Sequence, residues 1–255
     1  MEYFINIIIF IIGALIGSFC TLATYRIPRG KDITHERSFC PNCGHKLGFW
    51  DLIPLLSYVF LGGKCRYCKK KISPRYFLIE LFSGVTILLF SHCLTFNIYK
   101  LNVFYIIYMV IGILYITALI LIAGIDKEFN KVHKAVFLFL IIDIIWYIIY
   151  LCIVDISNIY RYAIYISIII FMGILNIVFE MLNKKESYPM QIFLLCNVLA
   201  IFSGTAVFIE TAIATLLAIA LYICFSKLKK KELKQIPIAF LICLFNIIFL
   251  VLQSL

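Results

Sequence analysis

The sequence predicts an all-α membrane protein of about eight transmembrane helices, with one polar insert between the first and the second. Three observations carry that prediction. Of the 255 residues, 64% are hydrophobic and 14% charged, too little charge to cover a soluble domain of this length. The mean hydropathy of +1.05 is gathered into runs long enough to cross a bilayer. The basic residues fall almost entirely in alternate gaps between those runs.

The first run covers residues 3–24. No basic stretch precedes it and it has the length of a full span, so it reads as a retained helix and not a cleaved signal peptide. The polar insert, 25–75, follows. A second span covers about 76–94, with Glu80 near its start, and a third about 101–125. A short charged loop, 126–134, leads to a fourth span at 135–154 and a fifth at 160–182. Residues 188–225 carry a single charge, Glu210, and are long enough for two spans joined at Ser203-Gly204-Thr205. A basic loop, 226–235, precedes the last span at 236–252.

The insert holds eleven Lys and Arg. The loop after the third span holds Lys127, Lys131 and Lys134, the loop after the fifth holds Lys184 and Lys185, and the loop before the last holds five lysines. Eight spans therefore put 21 of the 23 basic residues on one side, leaving Lys100 and Arg161 on the other. Because basic loops stay inside, both termini are expected outside and the insert in the cytoplasm. The net charge of +10 is thereby explained without nucleic acid.

Two Cys pairs punctuate the insert, Cys40-Pro41-Asn42-Cys43 and Cys65-Arg66-Tyr67-Cys68. Each C-x-x-C is short enough for both its sulfurs to reach one ion, and two such knuckles make a four-thiolate structural zinc site. Two redox pairs, or loose thiols, are the plainer alternative. A disulfide framework conflicts with a reducing cytoplasm. The remaining cysteines, Cys20, Cys93, Cys152, Cys196, Cys224 and Cys243, lie in apolar runs and read as small hydrophobes.

Ionisable groups in spans are costly, so each is a candidate for function. Asp126 stands where the third span ends, as a solvated helix end or a catalytic acid. Asp143 and Glu210 lie within spans, where protonation or pairing in the bundle would satisfy them. Glu80 and Glu180 lie near the basic side, Glu80 within reach of Arg75. Peptide hydrolysis at this boundary would take two carboxylates. One, ionised, accepts a proton from water, and the other, protonated, polarises the carbonyl. At the depth of Asp126 the start of the sixth span offers only Gln191.

The chain resembles the type IV prepilin peptidases, bifunctional membrane aspartic peptidases of the GxGD type. The resemblance begins at Gly17-Ser18-Phe19 and Tyr25-Arg26-Ile27-Pro28 and runs through Cys40-Pro41-Asn42-Cys43-Gly44 and residues 50–58. It is strongest at 61–68, then Ile72-Ser73-Pro74-Arg75-Tyr76 and Glu80-Leu81. Ile125-Asp126 is similar to the site of the family's first catalytic aspartate, and Ile236-Pro237 to the opening of its last helix. After Lys134 the likeness weakens. The family's Gly-x-Gly-Asp-x-Lys motif falls on 188–193, where the aspartate is Gln191 and the lysine Phe193.

The resemblance implies two parts: residues 1–94, holding the first helix, the double-knuckle insert and the second helix, and 95–255, an aspartic-peptidase-like bundle. It implies a protein of the bacterial cytoplasmic membrane that cleaves the leader of type IV pilin-like precursors at the cytoplasmic face. It also implies N-methylation of the new terminus with S-adenosylmethionine. Asp126 would be the surviving catalytic acid, with Glu180 or Glu186 as replacements for the missing one. The alternative is a degenerate relative that binds pilin-like helices or assists assembly without cleaving, because one acid cannot serve both proton transfers. A transporter built on Asp143 and Glu210 lacks an internal repeat and leaves the knuckles unexplained.

Overall fold

The computed structural model of the chain describes residues 2–35, 37–95, 103–155, 159–183, 188–228 and 236–254. They form two compact units, Met1–Cys93 and Leu94–Leu255. Among the described residues the structure is helical, with two isolated bridges in place of any sheet.

The first unit holds α1 (Glu2–Arg26) and α3 (Pro74–Thr95), with the insert between them carrying the short α2 (Leu56–Phe60). Gly13 and Gly17, four residues apart, lie on one face of α1. A Cβ on Gly13 would stand 2.9 Å from the Gly84 Cα, and one on Gly17 only 2.8 Å from the Glu80 Cα. Glycine thus lets the two backbones touch, which is how helices gain packing energy in lipid, where burial from water contributes nothing. The insert has almost no core of its own. Between 27 and 73, among the described residues, only Cys40, Gly63 and Cys65 are buried. At its start the buried Arg26 gathers the chain by donating to the Asp32 and Arg37 carbonyls at 2.8 and 3.3 Å.

The second unit contains α4 (Val103–Phe129), α5 (Lys134–Val154), α6 (Ile159–Asn183), α7 (Tyr188–Leu228) and α8 (Ile238–Ser254). α4 is its axis, buried without interruption from Tyr115 to Asp126 and flanked by α5 and α8. α7 packs on α8, and the more exposed α6 lies against α7. α4 runs on to Phe129, so Asp126 sits in its last turn and not in a loop. Asn130 ends the helix in the left-handed region (φ 49°), donating its N–H to the Asp126 carbonyl at 2.8 Å.

Unbroken, the 41 residues of α7 would span about 60 Å, twice a bilayer's hydrocarbon thickness. Gly204 breaks them at φ 76°, ψ 169°, a conformation open essentially to glycine alone. The amide of Asn246 donates to Ser203 Oγ at 3.2 Å and to Thr211 Oγ1 at 3.5 Å. On a straight helix those residues would be about 12 Å apart, so the chain bends sharply at Gly204, where the sequence places a turn.

Among the described residues six helices are long and apolar enough to cross a membrane, and the last, 238–253, is apolar but shorter. With α7 divided at Gly204, the described residues hold the eight apolar segments that the hydropathy predicts.

Candidate functional site

The two Cys pairs fold into the same local turn twice. In the first, Cys40 N–H donates to the His45 carbonyl and Gly44 N–H returns to the Cys40 carbonyl. In the second, Cys65 N–H donates to the Lys70 carbonyl and Lys69 N–H to the Cys65 carbonyl. Bridges at Phe39–Lys46 and Lys64–Lys71 close the two turns. Gly44 and Lys69 occupy the equivalent left-handed position, at φ 70° and 58°.

The four sulfurs converge. All lie within 4.8 Å of one another, and Cys40 and Cys68 are 3.9 Å apart. Four thiolates at a zinc–sulfur distance of about 2.3 Å stand about 3.8 Å from each other. The four sulfurs are therefore spaced so that they could hold one metal ion. Burial pushes the Cys40 thiol up, but the N–H groups of Cys43 and Asn42 and the neighbouring thiols outweigh it and bring it down to about 7. Asp51, in a 3-10 turn over Phe49–Asp51, braces the second knuckle by accepting from Arg66 Nε at 2.7 Å and Tyr67 Oη at 3.2 Å.

Between the knuckles the chain makes a tight γ-turn. Leu55 adopts φ 62°, ψ −52°, and Leu56 N–H reaches the Pro54 carbonyl at 2.6 Å. That conformation is strained. It is pinned by Glu80, buried on α3, whose Oε2 accepts the Leu55 N–H at 2.8 Å.

In the second unit Asp126 is fully buried. Its Oδ1 accepts the Tyr188 hydroxyl at 2.8 Å and its Oδ2 the Phe240 N–H at 2.9 Å. The Tyr188 oxygen in turn accepts the N–H groups of Ile238 and Ala239 at 2.9 and 3.2 Å. Asp126 and Tyr188 together satisfy three of the unpaired N–H groups at the start of α8, an interhelical cap that also suits the helix dipole.

Gln191 lies one turn along α7 from Tyr188, buried, and its Oε1 accepts Val132 N–H at 3.2 Å. It holds the α4–α5 connection, while Asp126 holds α8. Glu186 and the side chain of Glu180 lie outside the described residues. Glu210 is exposed on α7, and Asp143 is buried on α5 with neither oxygen hydrogen-bonded among the described residues.

Sequence reasoning did not single out Tyr188 or Asn246. Asn246, fully buried, accepts the Tyr115 hydroxyl at 2.8 Å and joins α4 and α8 to both parts of α7. A polar residue amid an apolar run was the available signal.

Residues 11–94 match the family model for the bacterial peptidase A24 N-terminal domain. The matched stretch lies almost entirely within the first unit. The match takes in both knuckles, the γ-turn and Glu80, whereas Asp126, Tyr188, Gln191 and Asn246 lie beyond it. The same likeness appears in curated proteins, each a prepilin leader peptidase/N-methyltransferase. That of Vibrio cholerae is 45% identical over 89 residues, 32% of this chain and 35% of its own length. That of Myxococcus xanthus is 43% identical over 88 residues, 34% of this chain and 25% of its own. That of Klebsiella pneumoniae is 31% identical over 126 residues, 47% of this chain and 51% of its own. The chain is thus similar to proteins named prepilin leader peptidase/N-methyltransferase, over about half of their length or less. No solved structure matches it.

Proposed function

We propose that this protein handles type IV pilin-like precursors at the cytoplasmic face of a bacterial cytoplasmic membrane, as a degenerate prepilin peptidase that binds the precursor helix without cleaving its leader. Residues 1–94 supply a zinc-braced platform, and residues 95–255 a peptidase-like bundle that receives the apolar helix. Four thiolates suit zinc, which here would hold the insert together. Any N-methylation of the precursor would draw on S-adenosylmethionine as the methyl donor.

The observation that carries the non-cleaving reading is Gln191. A two-aspartate mechanism needs one group to take a proton from water and another to give one to the substrate. Gln191 cannot ionise, and its oxygen is engaged by Val132 N–H. Asp126, the remaining acid, is engaged at both oxygens by Tyr188 and Phe240.

The complete burial of Asp126 at the end of α4 favours a second reading, in which it is the catalytic acid and Glu180 or Glu186 supplies the other carboxyl. One experiment separates the two. Purified protein is incubated in detergent with a pilin precursor, and the precursor's mass is followed. The first reading expects binding without leader loss, and cleavage in Gln191→Asp. Leader loss by the wild type that disappears in Asp126→Asn would establish the second.

A further inference from the structure

The stretch from Phe49 to Phe60 leaves its large apolar side chains uncovered within its own unit. Phe49 and Trp50 are 77% and 71% exposed, and on α2 Leu56, Val59 and Phe60 are 53%, 61% and 82% exposed. An insert otherwise rich in charge has no reason to present such a ridge to water.

Two contacts fix how deep the ridge sits. Glu80, which pins the Leu55 N–H at 2.8 Å, is six residues into α3, about 9 Å from its first residue. The Tyr58 ring lies against Phe77 of the same helix, with centroids 5.3 Å apart. Since α3 is apolar enough to cross a membrane from Pro74 onward, α2 lies beside the outer turns of a membrane span and not above them. Its inner face, through Tyr58, is on α3. Its outer face, Leu56, Val59 and Phe60, points away.

Other side chains belong to the same boundary. Tyr76 is half-exposed at the start of α3, and Tyr25, with the Arg29 guanidinium 4.0 Å from its ring centre, ends α1. Such residues collect at headgroup level. Four residues beyond Phe60 stands Lys64, bridged to Lys71, and both are exposed together with Lys69 and Lys70. Exposed apolar and aromatic side chains followed closely in the chain by exposed lysines match the pattern of a segment lying in the surface of an anionic bilayer.

We propose that Phe49–Phe60 is an interfacial wedge, its ridge sunk among the acyl-chain ends of an anionic lipid bilayer and the adjoining lysines on the lipid phosphates. The wedge would hold the metal platform flat against the membrane surface. It does not depend on whether the protein cleaves precursors.

The chain has two tryptophans, Trp50 and Trp146, so Trp146→Phe leaves Trp50 as the only one. The full-length variant is reconstituted in nanodiscs of phosphatidylglycerol and phosphatidylcholine. Lipids brominated near the headgroup end of the chain then compete with aqueous acrylamide as quenchers of Trp50. Strong quenching by the brominated lipid with weak quenching by acrylamide is expected, and Phe60→Asp should shift the balance toward acrylamide. Free access to acrylamide without lipid quenching overturns the proposal. Protection from both quenchers also overturns it, because another part of the protein then covers the ridge. Lipid quenching that is unchanged in pure phosphatidylcholine overturns the anionic assignment.

Discussion

Asp51 shows how much one carboxylate does in an insert without a core. It lies fourteen residues before Cys65, yet it holds the two residues inside the second knuckle, Arg66 and Tyr67, and accepts Gly48 N–H at 3.1 Å as well. Burial pushes its carboxyl up, but Gly48 N–H, Arg66 and Tyr67 outweigh it and hold it below the usual carboxylate range. The brace is therefore fully present above the unfolded carboxyl's pKa of about 3.9 and weakens as pH falls through the lower folded value. Groups that orient metal-binding residues change affinity without being ligands, typically by tenfold or more. Asp51→Ala should weaken metal binding about tenfold, while Asp51→Asn, which keeps an acceptor, loses less. Titration of the bound metal against a chromogenic chelator reads both. Unchanged affinity in Asp51→Ala would remove the brace from the account.

At the scale of elements, the crossing of α1 and α3 rests on glycines whose missing side chains are the contact. Gly17→Leu places carbon where the α3 backbone already stands, so the helices must part. The expected cost is about 1–3 kcal/mol, seen as a lower melting temperature of the protein in detergent. Gly173→Ala is the comparison. Among the described residues a Cβ there meets nothing within 4 Å, and alanine favours a helix over glycine by about 1 kcal/mol, so melting should hold or rise.

These two positions also mark what the sequence makes legible. Helix count and the bend at Gly204 follow from run length and a glycine amid apolar residues, and the convergence of the four cysteines follows from two short local spacings. The α1–α3 contact does not, because a glycine in an apolar run looks the same whether it faces lipid or backbone. Nor does the cap on α8. Asp126 meets Tyr188 and Phe240 across 62 and 114 residues of chain, and no periodicity announces such a pairing. Glu80 invited an ion-pair reading from nearby Arg75, whereas its oxygen takes a backbone N–H in a γ-turn, which has no repeat to detect.

The whole molecule divides its stability between two kinds of order. The second unit has a continuous buried axis along α4 and polar ties at Asn246 and Tyr188. The insert of the first unit buries almost nothing beyond Cys40, Gly63 and Cys65 among its described residues. A segment so short of buried apolar surface cannot offset the entropy of ordering it, whereas a structural metal site contributes on the order of 10 kcal/mol. Metal removal should therefore release the insert and leave the bundle intact. Treatment with a strong chelator, or Cys40→Ser, is expected to open the Lys- and Arg-rich stretch 31–71 to trypsin. Helical circular dichroism should barely change, because the long helices lie outside that stretch. Resistance of 31–71 to trypsin after complete metal loss would mean that the turns stand on their own hydrogen bonds. Cleavage accompanied by collapse of the helical signal would mean that the metal supports the bundle as well.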